Sequence, residues 1–194
     1  MTTLARDNFS ELEIASIISV KEKIYSDFGG LLGMMPRNLQ NLILTAGTIT
    51  GGCVSSIFHS KQPNDWDVYL ENEEAIKEFD VMIKSDGPVR RVIADANPNY
   101  REFETTGGKV ITENAVTFEN GIQVITRATA EVARTHFDFI HCMPYYKLSE
   151  RKFYISRKQF ESIREKKIVM NPNYRGDVKF ARVEKYKERG WVAP

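Results

Sequence analysis

Residues 49–68, ITGGCVSSIFHSKQPNDWDV, hold the pattern that decides the fold: a double glycine, a spacer of twelve residues, then Asp65-Trp66-Asp67. In a strand, residues i and i+2 project from the same face, so Asp65 and Asp67 point one way and Trp66 points into packing. Two carboxylates held that close repel unless they are solvated or bridged by a cation. A hard divalent ion such as Mg²⁺ is the natural bridge, because it prefers carboxylate and phosphate oxygens. Gly51 and Gly52 follow an apolar run (residues 42–47, LILTAG) that reads as a buried strand. Glycines there let the backbone approach a triphosphate and donate amides to it, with a following helix N-terminus favouring negative charge. A DxD tripeptide or a Gly-Gly turn alone is ordinary surface sequence. Their order and spacing together are more specific.

A third acid lies in Phe137-Asp138-Phe139, within an apolar and aromatic run (residues 136–146, HFDFIHCMPYY) that reads as another strand. Alternation sends the two phenylalanines to one face and Asp138 to the other. Three acids and a glycine loop suit two-metal phosphoryl or nucleotidyl transfer. One metal with a carboxylate activates the attacking hydroxyl, and the other stabilises the leaving pyrophosphate. A strand-edge aspartate facing solvent is the plain alternative for Asp138.

Working outward, Ser10-Glu11-Leu12-Glu13 is a capping box opening a helix with Ile14, Ile17, Ile18, Lys21, Tyr25 and Phe28 on one stripe, ended by Gly29-Gly30. Residues 31–40 read as a connector containing Pro36. Residues 72–85 give a surface helix, 88–95 a strand, and 95–109 a loop-rich stretch. The runs VITENAVTF and IQVITRA flank Glu119-Asn120-Gly121, a hairpin signal. A brief helix (TAEVART) precedes the aromatic run. Beyond Ser149 the chain turns basic and helical: Ser156 to Gln159 is a second capping box opening a helix to about Lys167, and a last helix runs from about Asp177 to Arg189. The implied organisation is an N-terminal helix (1–30), a core (31–148) and a basic helical extension (149–194).

Composition is that of an ordinary soluble domain, with 42% apolar and 27% charged residues and a net charge of +1. The overall balance gives no sign of nucleic acid or membrane as a partner. No apolar run approaches a membrane span, so a soluble, cytoplasmic protein is expected. Cys53 and Cys142 lack metal-ligand spacing and read as reduced core thiols, and the histidines read as structural.

These motifs resemble the nucleotidyltransferase superfamily related to DNA polymerase β, above all the head domain of poly(A) polymerases and CCA-adding enzymes. The chain's brevity is similar to that of compact nucleotidyltransferase-like proteins of tailed phages. The resemblance covers roughly residues 40–145 and implies an α/β (α+β) nucleotidyltransferase fold, a mixed sheet flanked by helices. It implies that Asp65 and Asp67 hold both metals (Mg²⁺ or Mn²⁺), that Asp138 holds the catalytic one, and that Gly51 and Gly52 cradle a nucleoside triphosphate, ATP above all. The tRNA-processing members carry an Arg-Asp pair where this chain has Ser55-Ser56, serines that either bond phosphate or cap a helix. ARVEKYKERGW (residues 181–191) resembles the helix that follows the core in poly(A)-polymerase-like proteins, making Arg182 and Lys185 candidates for the triphosphate and a solvated basic face the alternative. The expected activity is transfer of a nucleoside monophosphate to a hydroxyl of RNA, protein or a small molecule, in the host cytoplasm if the chain is phage-encoded. The rival is a catalytically inactive protein of the same fold that binds nucleotide or RNA or serves a phage structure.

Overall fold

Ser10 opens the first helix as its sequence predicts: its hydroxyl accepts from the Glu13 amide while a Glu13 carboxylate oxygen accepts from the Ser10 amide. This is a computed structural model, which describes residues 9–85, 89–93, 101–105, 109–112, 114–178 and 180–193. Helix α1 (Glu11–Leu32) buries Ile17, Val20, Ile24, Phe28 and Leu32, one residue per turn. It runs through Gly29-Gly30 instead of stopping there. A helical glycine costs only about 1 kcal/mol, and burying Leu32 and Met35 beyond it outweighs that cost.

The second departure is larger. Residues 37–46 form α2 (Arg37–Ala46) behind Pro36, with no strand at LILTAG. Leu39, Leu42 and Ile43 recur at helical spacing and are the buried positions, so the run is a packed helix face. The strand begins one step later, as β1 (Gly47–Thr50), buried at all four positions. Next come α3 (Gly52–Phe58), β2 (Trp66–Leu70), α4 (Glu73–Ser85) and β3 (Val89–Ile93). Part of the expected loop is strand β4 (Arg101–Thr105); residues 95–100 and 106–108 of it lie outside the described residues. β5 (Lys109–Ile111), β6 (Ala115–Phe118) and β7 (Ile122–Ile125) follow, with Gly121 at φ +84° turning the β6–β7 hairpin.

Thr129 caps α5 (Ala130–Thr135), and the aromatic run after it is not a strand. Phe139 makes one isolated bridge to Met170, Ile140–Cys142 form a single 3-10 turn, and strand β8 (Tyr145–Lys147) starts only after Pro144. Five successive buried residues, 138–142, explain why alternation misleads there: both sides of the segment are packed. A short edge strand, β9 (Lys152–Tyr154), appears where helix was expected. Its cross-strand partners Tyr145 and Tyr154 stack at 4.6 Å. The chain ends with α6 (Arg157–Arg164) and α7 (Phe180–Glu188).

Among the described residues the strands form one mixed sheet in the order β3-β4-β5-β6-β7-β2-β1-β8-β9. β2 lies between β1, antiparallel, and β7, parallel. Helices flank the sheet, so the expected α/β class with a mixed sheet holds. One apolar cluster takes residues from α1, from the sheet and from the C-terminal segment as far as Trp191. Glu13 also joins the two ends, pairing with Arg157 at 2.6 Å and Arg164 at 2.9 Å. No helix among the described residues is long and apolar enough to cross a membrane.

Ile24 is fully buried and Leu12 of the same helix is 85% exposed. Ile24→Ala is expected to lower unfolding free energy by about 2–5 kcal/mol in urea denaturation, and Leu12→Ala by less than about 0.5 kcal/mol.

Candidate active site

The alternation of β2 builds one wall. Trp66, Val68 and Leu70 turn into the core, with Trp66 against Phe28 at 5.6 Å. Asp67 and Tyr69 therefore face the other way, and Asp65, just ahead of the strand, joins them on the rim of a cavity of about 330 Å³. Gly51 passes directly beside Asp67. At φ +93° and ψ −156° its backbone occupies a region that essentially only glycine adopts. A Cβ at that position would stand 2.8 Å from an Asp67 carboxylate oxygen. The backbone thus favours glycine there, and any side chain would also push the Asp67 carboxylate aside.

The Gly51 amide is already committed, donating to the Cys142 carbonyl at 3.0 Å. Thr50 reinforces the tie, its hydroxyl donating to the carbonyls of Cys142 and Pro144. The part of Gly51 is thus to let the chain pass Asp67, with its N–H spent within the protein. Gly52 lines the cavity. Both serine hydroxyls, Ser55 and Ser56, donate to the Gly52 carbonyl at 3.0 Å, and of the two only Ser56 lines the cavity.

The same cavity has a basic lining. Arg182, Lys185 and Arg189 sit at spacings of three and four on the last helix and its end, and all line the cavity together with Lys61 and Tyr186. Arg189 and Lys61 were missed in the sequence. The 182/185/189 spacing was a legible signal for Arg189, whereas Lys61 is a lone loop lysine with none. Burial, then the neighbouring Asp65 charge, pushes the Asp67 carboxyl up to about 7, against the opposing pull of Lys185 and Arg182. A carboxylate pair in that condition gains most from a cation.

Asp138 is not brought to the pair. It lies outside the strands, is 5% exposed, and is held by Arg182: Nε donates to Oδ2 at 2.6 Å and Nη2 to Oδ1 at 3.1 Å. The strand that does run beside β2 sets Gln123 opposite Asp67. Among the described residues no three His, Cys, Asp or Glu side chains are grouped to hold a metal. Asp65 and Asp67 nonetheless suit a hard cation whose remaining ligands are phosphate oxygens and water.

Behind the basic helix, His141 is fully buried. It stacks on Phe139 and meets Tyr186 and Trp191 at 4.5 and 4.0 Å between ring centres. Neither of its ring nitrogens has a hydrogen-bond partner. Burial, aided by Arg182, pulls its pKa down to about 3. The Tyr186 hydroxyl contacts the Cys142 sulfur at 3.1 Å.

Residues 21–166 match the model of the Gabija anti-defense 2 family. The chain belongs to that family. The matched stretch contains the glycine turn, Asp65, Asp67 and Asp138, and stops before α7. Among curated proteins none matches the chain. Among solved structures the chain is similar to the Thermotoga maritima CCA-adding enzyme complexed with tRNA, at 14% identity and a TM-score of 0.43, covering 83% of this chain and 46% of that one. An apo CCA-adding enzyme gives 16% identity and a TM-score of 0.42 over 82% of this chain and 46% of that one. A CCA-adding enzyme with ATP gives 16% and 0.42 over 76% and 36%. The chain thus spans less than half the length of the enzymes it matches.

Two outcomes are expected. Gly51→Ala should cost about 1–3 kcal/mol in denaturant titrations, through its backbone and the displaced Asp67 side chain. For His141 the unfolded pKa is near 6.5 and the native one about 3, so the unfolded state takes up the proton first. Stability is fully present above about pH 6.5 and falls on acidification by about 1.4 kcal/mol per pH unit. Asp67, raised to about 7, contributes a slope of the opposite sign over the same range, so the test is a difference: the unfolding free energy of the wild type relative to His141→Leu should fall by about 1.4 kcal/mol per pH unit between pH 6 and 5.

Proposed function

We propose that the cavity binds a nucleoside triphosphate through a divalent cation held by Asp65 and Asp67, and transfers its nucleoside monophosphate to a hydroxyl. The observation that carries this reading is that the carboxylate pair and Arg182, Lys185 and Arg189 line one cavity, where Lys185 and Arg182 act electrostatically on Asp67. Acidic groups alone suit a cation and basic groups alone suit a phosphate. Both together suit a metal–polyphosphate complex, whose charges are neutralised from each side.

Mg²⁺ or Mn²⁺ would supply charge neutralisation at the α-phosphate and lower the pKa of the attacking hydroxyl. Asp65 and Asp67 would hold it at the cavity rim. The hydroxyl oxygen forms the new bond to the α-phosphorus, its proton leaves to a base, and the bond to pyrophosphate breaks. Lys185 and Arg189 neutralise the departing pyrophosphate. Tyr69 and Phe137, edge to face at 6.1 Å, give the cavity its apolar side.

Membership of an anti-defense family supports use of this activity against Gabija, in the cytoplasm of an infected host, by a phage-encoded protein. The acceptor is then sought among components of cells that carry Gabija, whether RNA, protein or small molecule. The pairing of Asp138 with Arg182 favours a second reading, in which the site binds nucleotide without transferring it.

Incubation with each α-labelled NTP, Mg²⁺ and extract of Gabija-carrying cells should label one macromolecule or small product. Asp65→Asn with Asp67→Asn should reduce labelling by about 10²–10⁴-fold at unchanged melting temperature. Full labelling by the double variant would sink the assignment. Metal-dependent NTP stabilisation without labelling decides for the second reading.

A further inference from the structure

Asp138 has every mark of an acid put to use, and none of a metal ligand. Its Oδ2 accepts from Arg182 Nε, and its Oδ1 accepts from Arg182 Nη2 and from the Phe139 amide at 3.0 Å. Both oxygens are occupied by donors from the protein. Its backbone is held as firmly: the Asp138 carbonyl accepts from the Asn171 amide at 2.8 Å, and the buried Asn171 side chain donates to the Phe137 carbonyl at 2.8 Å. The loop 137–139 is therefore a fixed mount.

The partner is placed differently. Arg182 is 46% exposed at its side chain while Asp138 is 6% exposed, and Arg182 lines the cavity while Asp138 does not. A guanidinium gripped along one edge is stripped of rotamer freedom, and its other N–H groups stay available to a ligand. α7 is pinned at the same mount a turn later, where Tyr186 meets Cys142. The Cys142 carbonyl in turn holds Gly51.

We infer that Asp138 is a positioning residue, which anchors the Arg182 guanidinium at the cavity as a phosphate-binding group, and that the metal centre has two carboxylates, Asp65 and Asp67. The inference rests on the proposed metal–triphosphate site and deepens it. Gln123, in register with Asp67 on the adjoining strand, is not a carboxylate, and its amide donates to the Thr117 hydroxyl at 2.8 Å.

Mn²⁺ binding followed by electron paramagnetic resonance, and binding of inorganic tripolyphosphate and ATP by calorimetry, separate the possibilities without an activity assay. Asp138→Asn should leave Mn²⁺ affinity within about twofold of wild type and weaken tripolyphosphate about tenfold. Arg182→Ala should weaken tripolyphosphate to a similar degree, and the double variant no further, because both changes remove one unit. Asp67→Asn should lose Mn²⁺. A loss of Mn²⁺ binding in Asp138→Asn comparable to that in Asp67→Asn overturns the inference, as does unchanged tripolyphosphate affinity. If Asp138→Asn does not fold, Arg182→Gln at its half-exposed position gives the same decision. Freeing Asp138 should not raise Mn²⁺ affinity, and a rise would make it a ligand held off by arginine. Wild-type protein that binds neither Mn²⁺ nor tripolyphosphate overturns the metal–triphosphate reading itself, and the inference with it.

Discussion

β2 is hydrogen-bonded on both sides, to β1 and to β7, so its pleat cannot slip by one residue without turning every side chain over. Trp66, Val68 and Leu70 are each at most 2% exposed, and Trp66 is the largest fully buried side chain among the described residues. Reversing the strand would expose that surface and bury Asp65, Asp67 and Tyr69 in its place. The register is thus enforced by the core, and the direction of the two carboxylates follows from it. The free energy that places an acidic pair at a cavity rim comes from hydrophobic packing on the opposite face.

The rest of the site is arranged around that rim by a chain of contacts to one segment, residues 137–144. This segment takes the Gly51 amide and the Thr50 hydroxyl on one side, and Arg182 and Tyr186 of α7 on the other. The glycine turn and the basic helix are far apart in sequence and share this mount. Asn171 stiffens it from behind, and buried His141, packed among Phe139, Tyr186 and Trp191, fills the space beneath α7. The neutral state of His141 is part of that packing, since a charged imidazole there would have neither water nor a counter-ion.

Much of this was legible in the sequence because it was local. The capping boxes at Ser10 and Ser156 depend on residues three apart, and both form. The Asn120-Gly121 hairpin and the two-residue spacing of Asp65 and Asp67 are equally short-range. What failed was the assignment of apolar runs whose conformation depends on tertiary partners. LILTAG packs as a helix face against the core, a period that shows only once Leu39 ahead of it is counted, and HFDFIHCMPYY is buried on more than one side, so neither run taken alone carries the period that separates strand from helix. The role expected of Asp138 leaned on that second run being a strand. Once the segment bends, alternation no longer says where its side chain points.

An acid and a base that are 44 residues apart cannot be matched from spacing, and here that match decides what both do. Burial and the Asp65 charge raise the cost of charging Asp67, which leaves a demand for positive charge at the rim. Asp138 is relieved of any such demand by Arg182 and contributes orientation instead of charge. The cavity consequently keeps a net attraction for a cation at β2 and for an anion at α7. In the proposed function, separating those two attractions in space, with one carboxylate holding the arginine in place, would let a small site receive a ligand that carries both charges. On that proposal α7 belongs to the site, although the family match ends at residue 166 and the helix begins at Phe180.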